Sequence, residues 1–241
     1  MAKGTSRGRL IFRKIVKVFK WAIILFFGSS ILVTVLYRWI NPPITPLMVK
    51  RLVEQVQDGK PLKLSKDWVS IDEISGSMSM AVIASEDNNF LKHHGIDIGA
   101  IRKAVEANKT RKRKLGASTI TQQTAKNVFL FPSRTYFRKG LELYFTGLIE
   151  LIWGKERIME VYLNVIEMGD GIYGVEEAAQ TYFRKPASAL NKHEAALIAA
   201  ILPSPRRYSA QKPGPYVRKR AAQIANLSGK LTRPEWVERK K

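Results

Sequence analysis

Two carboxylates, Glu86 and Asp87, follow the apolar stretch Met80 to Ala84 after Ser85 and precede Asn88, Asn89 and Phe90. The run reads as the end of a buried helix, where a glutamate beside an aromatic ring is partly removed from water and suited to general acid or base work. The plainer reading has both as polar residues capping a turn, and from this segment alone it is favoured. Further along, Gly116-Ala117-Ser118-Thr119-Ile120-Thr121-Gln122-Gln123 crowds hydroxyls and amides into one run, with Lys126 and Asn127 just behind it. So many donors at low steric cost suit a sugar or phosphate ligand. Ser118 and Thr119 equally suit the cap of a following helix.

A third group is cationic. Arg134, Arg138 and Lys139 surround Glu142, with Lys126 shortly before. On a helix Arg138 and Glu142 share a face, which by itself predicts a surface ion pair worth only about 0.3–0.5 kcal/mol. The functional alternative is a diphosphate held by the cations, with one carboxylate fixed among them. Gly169-Asp170-Gly171-Ile172-Tyr173-Gly174 supplies glycines for a tight turn between two helices. The run Arg111-Lys112-Arg113-Lys114 suits a solvated loop; facing a membrane, it would add about 1 kcal/mol per residue of attraction to anionic lipid.

The elements that must position these groups are helical. Tyr136 to Trp153 places Leu141, Tyr144, Phe145, Leu148 and Ile152 on one stripe, and Ile158, Val161, Tyr162 and Val165 repeat the pattern. Asn191 followed by Glu194 predicts an N-cap for the apolar run Ala195 to Leu202, which Pro203 and Pro205 stop. No sustained alternation of period two and no internal repeat is present, so the expected fold class is mainly α.

Composition sets the surroundings. The 241 residues are 45% hydrophobic and 25% charged, which suits one globular domain and a short extra segment rather than disorder. A formal charge of +21 demands an anionic partner: nucleic acid, an acidic membrane or a phosphorylated substrate. With no cysteine, disulfides, thiolate zinc sites and cysteine nucleophiles are excluded, and three histidines without an HExxH pattern leave little scope for a metal site.

Residues 21–40 carry no charge from Trp21 to Tyr37 and reach roughly the ~20 residues a membrane-spanning helix needs. Residues 1–20 contain Lys3, Arg7, Arg9, Arg13, Lys14, Lys17 and Lys20 and no acid, which keeps the N-terminus cytoplasmic and sends the remainder outward. Asn41-Pro42-Pro43 should end the helix. A cleaved signal peptide is the competing expectation, but Tyr37-Arg38-Trp39 supplies no small-x-small cleavage site. Residues 41–67 then form a connector with one short helix around Met48 to Gln57, and residues 68–241 a catalytic domain.

Taken in order, these segments resemble glycosyltransferase family 51, the peptidoglycan polymerases, and within it the monofunctional biosynthetic members. Glu86-Asp87-x-x-Phe90-x-x-His93-x-Gly95 is similar to the family's EDxxFxxHxG, and Gly116 to Gln123 to its GGSTITQQ, with Ala117 replacing the second glycine. Arg138-Lys139-x-x-Glu142 is similar to RKxxE, Arg157 to Asn164 to RILExYLN, and Glu194-Ala195-Ala196 to the last helical motif, so the likeness spans residues 80–208.

That resemblance implies a lysozyme-like helical domain behind the membrane helix, acting on lipid II, a disaccharide-pentapeptide carried on undecaprenyl diphosphate. It implies Glu86 as the base that deprotonates the acceptor 4-hydroxyl, and Glu142 as an aid to diphosphate departure. Lys126, Arg134 and Lys139 would neutralise the charge that develops, the link formed would be β-1,4 with inversion, and Asp87 would tune Glu86. Phe90, His93, Gly116, Ser118, Thr119, Gln122, Gln123, Asn127 and Arg138 complete the expected substrate-binding set. No cofactor is required, although a divalent cation such as Mg2+ is compatible. The expected partners are lipid II, the nascent glycan, the bacterial inner membrane with the domain on its periplasmic face, and cell-wall or division proteins; nucleic acid is not expected.

Three other functions are weighed against this one. A hydrolase of the same polymer would also use a glutamate in a helical domain, but leaves the Lys126, Arg134 and Lys139 cluster unexplained. A non-catalytic anion binder fits the charge and conflicts with the outward topology. Ser209-Ala210-Gln211-Lys212 matches the SxxK of a transpeptidase, but Pro213 is awkward for its helix, no KTG occurs and too few residues follow.

Overall fold

Helix α1 (Gly4–Leu36) forms its own unit, residues Met1–Ile40, and the remaining chain from Asn41 forms a second. The computed structural model describes residues 4–111, 115–133 and 135–239. From Gly8 to Leu36 the helix is long and apolar enough to cross a membrane. It ends before Ile40: residues 37–40 make a turn, as expected ahead of Asn41-Pro42-Pro43, where no proline N–H can continue the ladder. The basic leader is not separate from the span, because helix runs through it from Gly4.

The second unit contains helices α2 (Pro46–Gln57), α3 (Gly76–Glu86), α4 (Ile98–Thr110), α5 (Ile120–Phe129), α6 (Tyr136–Ile152), α7 (Gly154–Val165), α8 (Val175–Phe183), α9 (Lys192–Ile201), α10 (Pro215–Ser228) and α11 (Glu235–Glu238). Strands β1 (Ser65–Lys66), β2 (Glu167–Gly169) and β3 (Ile172–Tyr173) form a small sheet in the order β1-β3-β2. Pairing is parallel between β1 and β3 and antiparallel between β2 and β3. The glycine-rich segment at 169–174 is therefore a β-hairpin rather than a bare turn. Such two- and three-residue strands are too short to show as alternation in the sequence.

Residues 41–67 are built into this unit. Helix α2 starts at Thr45, whose hydroxyl accepts the Met48 N–H, and Met48 itself is fully buried. Gln55 pairs both ends of its amide with the Lys63 backbone, and β1 then joins the sheet. The expected connector is thus a helix and a strand packed on the domain.

Helix α3 is apolar all round because it is enclosed all round: Met78 to Ala84 are buried, against α9 and α10. Helix α9 begins with the expected N-cap at Asn191, which with Glu194 forms a capping box, and Ala195 to Ile201 are all buried. On α7 the expected stripe of Ile158, Val161, Tyr162 and Val165 is buried. On α6 the buried face is Glu142, Phe145, Thr146 and Ile149, so only Phe145 of the expected stripe is fully enclosed. Two polar residues take these interior places: Glu142 is paired with Arg138 and Lys139, and the Thr146 hydroxyl donates to the Glu142 carbonyl.

Candidate active site

Helix α3 carries Glu86 on its last turn, where the interior meets an open cavity of about 410 Å³. Glu86 Oε2 accepts a hydrogen bond from Gln123 Nε2 at 2.9 Å, and Oε1 accepts one from Ser85 Oγ at 3.2 Å. The carboxylate is therefore aimed from α3 toward α5, with one amide donor fixing its position. Gly116, Ala117 and Ser118 line the same cavity, and so does one face of α4 formed by Ala100, Lys103, Ala104 and Ala107. Asn108 secures that wall by exchanging two side-chain bonds with the Leu115 backbone, at 3.0 and 2.7 Å.

Asp87 lines the same cavity, and its carboxylate is also tied into the framework. It is 6% exposed, takes the Ile120 N–H at 3.1 Å and bonds His93 Nε2 at 2.9 Å. The Ile120 N–H is among the amides a helix start leaves without intrahelical partners, so Asp87 ties the end of α3 to the beginning of α5. Thr119 and Gln122 form the capping box of α5, and the Thr119 hydroxyl donates to the Gly95 carbonyl at 2.6 Å. Phe90 is wholly buried beneath Lys155, whose ammonium lies 4.5 Å from the ring centroid. Phe90, His93, Thr119 and Gln122 thus make framework contacts around the site, Thr119 as the cap that the alternative reading expected, while Thr119 also lines the Glu86 cavity.

Lys126 and Asn127 line a second cavity, of about 440 Å³, together with Arg138. Among the described residues no hydrogen bond or ion pair reaches the Lys126 ammonium. Burial holds its pKa below the ordinary lysine value, against the pull of Glu142 and with Arg138 and Lys139 adding repulsion; Glu86 acts on it too. Lys126 therefore stands in the field of both proposed carboxylates. Glu142 is 3% exposed; Arg138 Nη1 donates to its Oε2 at 2.5 Å and Lys139 to its Oε1. The Arg138–Glu142 pair is consequently no surface pair, and the burial of its acid locks two cations into position. Arg134 lies outside the described residues, as do Lys112, Arg113 and Lys114.

Sequence reasoning did not single out several residues at or near these cavities. Lys103 sits on a helical face otherwise made of alanines, a spacing that could have marked a ligand-facing surface. Lys50 and Arg51 of α2 line the second cavity, and only the fold brings them there. Tyr162 is fully buried with an unpartnered hydroxyl, and its pKa is raised well above the usual value by burial, then by Glu86 and Asp87. Among the described residues no group of three or more histidine, aspartate or glutamate side chains is arranged to hold a metal ion.

A carboxylate at one cavity and an unpaired cation at the next are the parts of a site that activates a hydroxyl and receives an anionic leaving group. The transglycosylase family profile matches residues 52–228. The chain is 55% identical over 210 residues to the biosynthetic peptidoglycan transglycosylase of Bdellovibrio bacteriovorus, covering 86% of this chain and 84% of that one. It is 50% identical over 228 residues to the protein of that description from Bacteroides thetaiotaomicron, with coverage of 95% and 92%. For the Pseudomonas aeruginosa protein the identity is 46% over 216 residues, with 90% and 91% covered. The chain belongs to the transglycosylase family, and its reaction is glycosyl transfer.

Proposed function

We propose that this enzyme polymerises lipid II into β-1,4-linked glycan with release of undecaprenyl diphosphate. The acceptor sugar lies in the Glu86 cavity and gives its 4-hydroxyl proton to Glu86. Its oxygen bonds to the anomeric carbon of the donor, and the bond from that carbon to the diphosphate oxygen breaks. The leaving diphosphate takes the electron pair while Lys126, Arg138 and Lys139 neutralise it; Glu142 keeps the latter two in place. Gln123 orients Glu86, and Ser118 and Asn127 offer polar contacts to sugar or phosphate. Inversion follows from a single in-line displacement.

The observation that carries this reading is Lys126, a half-buried cation on the lining of the second cavity, unpaired among the described residues and under the charge of both Glu142 and Glu86. A good anionic leaving group needs positive charge more than a strong acid, which favours transfer from a diphosphate over hydrolysis of a finished glycan. Helix α1 would anchor the enzyme with its basic N-terminus in the cytoplasm and the catalytic unit outside, so that both lipid-linked substrates meet it by diffusion in one plane. No cofactor is needed in this scheme; a divalent cation such as Mg2+ would enter on the substrate's diphosphate. The test is polymer formation from labelled lipid II. Wild type should give muramidase-sensitive chains, Lys126→Met none while still folded; polymer at the wild-type rate from Lys126→Met refutes the reading.

A further inference from the structure

The second cavity has two walls, and the motif residues account for only one. Opposite Lys126 and Arg138 stand Lys50 and Arg51 of α2, placing four cations on a lining that contains no carboxylate among the described residues. The acids stand behind the cations. Glu54 pairs with Lys50, takes Arg51 Nη1 at 2.7 Å and lies 3.8 Å from Arg206 Nη1. Glu167, 5% exposed, takes Arg51 Nη2 and Nε at 3.0 and 3.2 Å on one oxygen. This mirrors the other wall, where buried Glu142 holds Arg138 and Lys139. Apolar surface from Leu47, Leu130 and Pro132 completes the lining.

Resting on the reading above, we infer that the α2 wall is a leaving-group site: Lys50 and Arg51 receive the prenyl diphosphate, with Glu54 as the counter-ion that Lys50 exchanges for phosphate. The amphiphilic lining suits a diphosphate bearing the first isoprene units better than a bare inorganic anion. Of the two cations Lys50 is the more exposed, its side chain 38% accessible and, among the described residues, paired only with Glu54. Arg51 is pinned from two sides, and its guanidinium forms the fixed edge of the site. Glu54 is held well below the usual carboxylate range, to about 2, by its bonds to Lys50 and Arg51, and so stays ionised whenever the site is empty.

Calorimetric titration of the full-length enzyme in detergent with farnesyl diphosphate and with inorganic pyrophosphate tests this. Lys50→Gln should raise Kd for farnesyl diphosphate about ten-fold, the loss of one charge-assisted contact, whereas Glu54→Gln should lower Kd by removing the competitor. A general loosening of α2 would weaken binding in both variants, so opposite signs identify the exchange. Lys192→Gln, remote from this cavity, should leave Kd unchanged. Wild type should prefer farnesyl diphosphate over pyrophosphate; equal binding, no binding, or an unaltered Kd in Lys50→Gln overturns the α2 site. Lipid II polymerisation by the same wild-type preparation separates that failure from failure of the function itself.

Discussion

Removing Asp87 should weaken the protein before it touches the chemistry. In Asp87→Ala two buried donors, the Ile120 N–H and His93 Nε2, lose their acceptor. A buried donor left unsatisfied costs about 1–3 kcal/mol, and partial water entry keeps the pair at about 2–4 kcal/mol together. For a unit of this size each kcal/mol is worth roughly 2–4 °C, so Tm should fall by roughly 5–15 °C. Asp87→Asn retains one carbonyl acceptor and should lose about half as much. Thermal unfolding followed by far-UV circular dichroism, alongside lipid II polymerisation at a temperature where both variants are folded, gives the comparison. Framework action predicts that Tm and activity decline together, in the order wild type, Asn, Ala. A Tm within about 1 °C of wild type with activity abolished would refute it and return Asp87 to a direct part in the reaction.

Lys126→Met should trade function for stability. Burial lowers the folded-state pKa of Lys126, so its proton is held less tightly in the native than in the unfolded chain; the charged form costs stability at neutral pH, and that cost shrinks as pH rises from the folded value and is gone above the ordinary lysine value of 10.5. The inactive Met variant should therefore melt no lower than wild type at neutral pH, and a clear loss of Tm contradicts the assignment. The pH dependence at Glu54 has the opposite sense. With its folded value lowered, its contribution is present above about 4.5 and lost as pH falls toward about 2, and the Tm difference between wild type and Glu54→Gln should close over that interval. A difference that persists unchanged at the acid end would rule this out.

What the sequence made legible was local. Asn191 and Glu194 stand three residues apart and could announce their capping box, and the buried stripe of α7 followed from spacing alone. Arg138 and Glu142 could be paired by eye, but whether that pair faced water or the interior depended on the packing of α6 against α5, which no window of sequence contains. Glu142 and Thr146 took the inward positions that hydrophobicity had assigned to leucines. Phe90, His93 and Gln122 sit within motifs that resemblance marks for substrate, and their framework contacts could be seen only once the fold brought their partners together. Lys50 and Arg51 carried no signal because their partners, Lys126 and Arg138, lie on helices far along the chain.

The proposed reaction turns on Glu86. Purified wild type and Glu86→Gln, given labelled lipid II in detergent and checked for equal Tm, should differ by about 10²- to 10⁴-fold in polymerisation rate, the usual worth of a general base. Polymer formed by Glu86→Gln at the wild-type rate would contradict it.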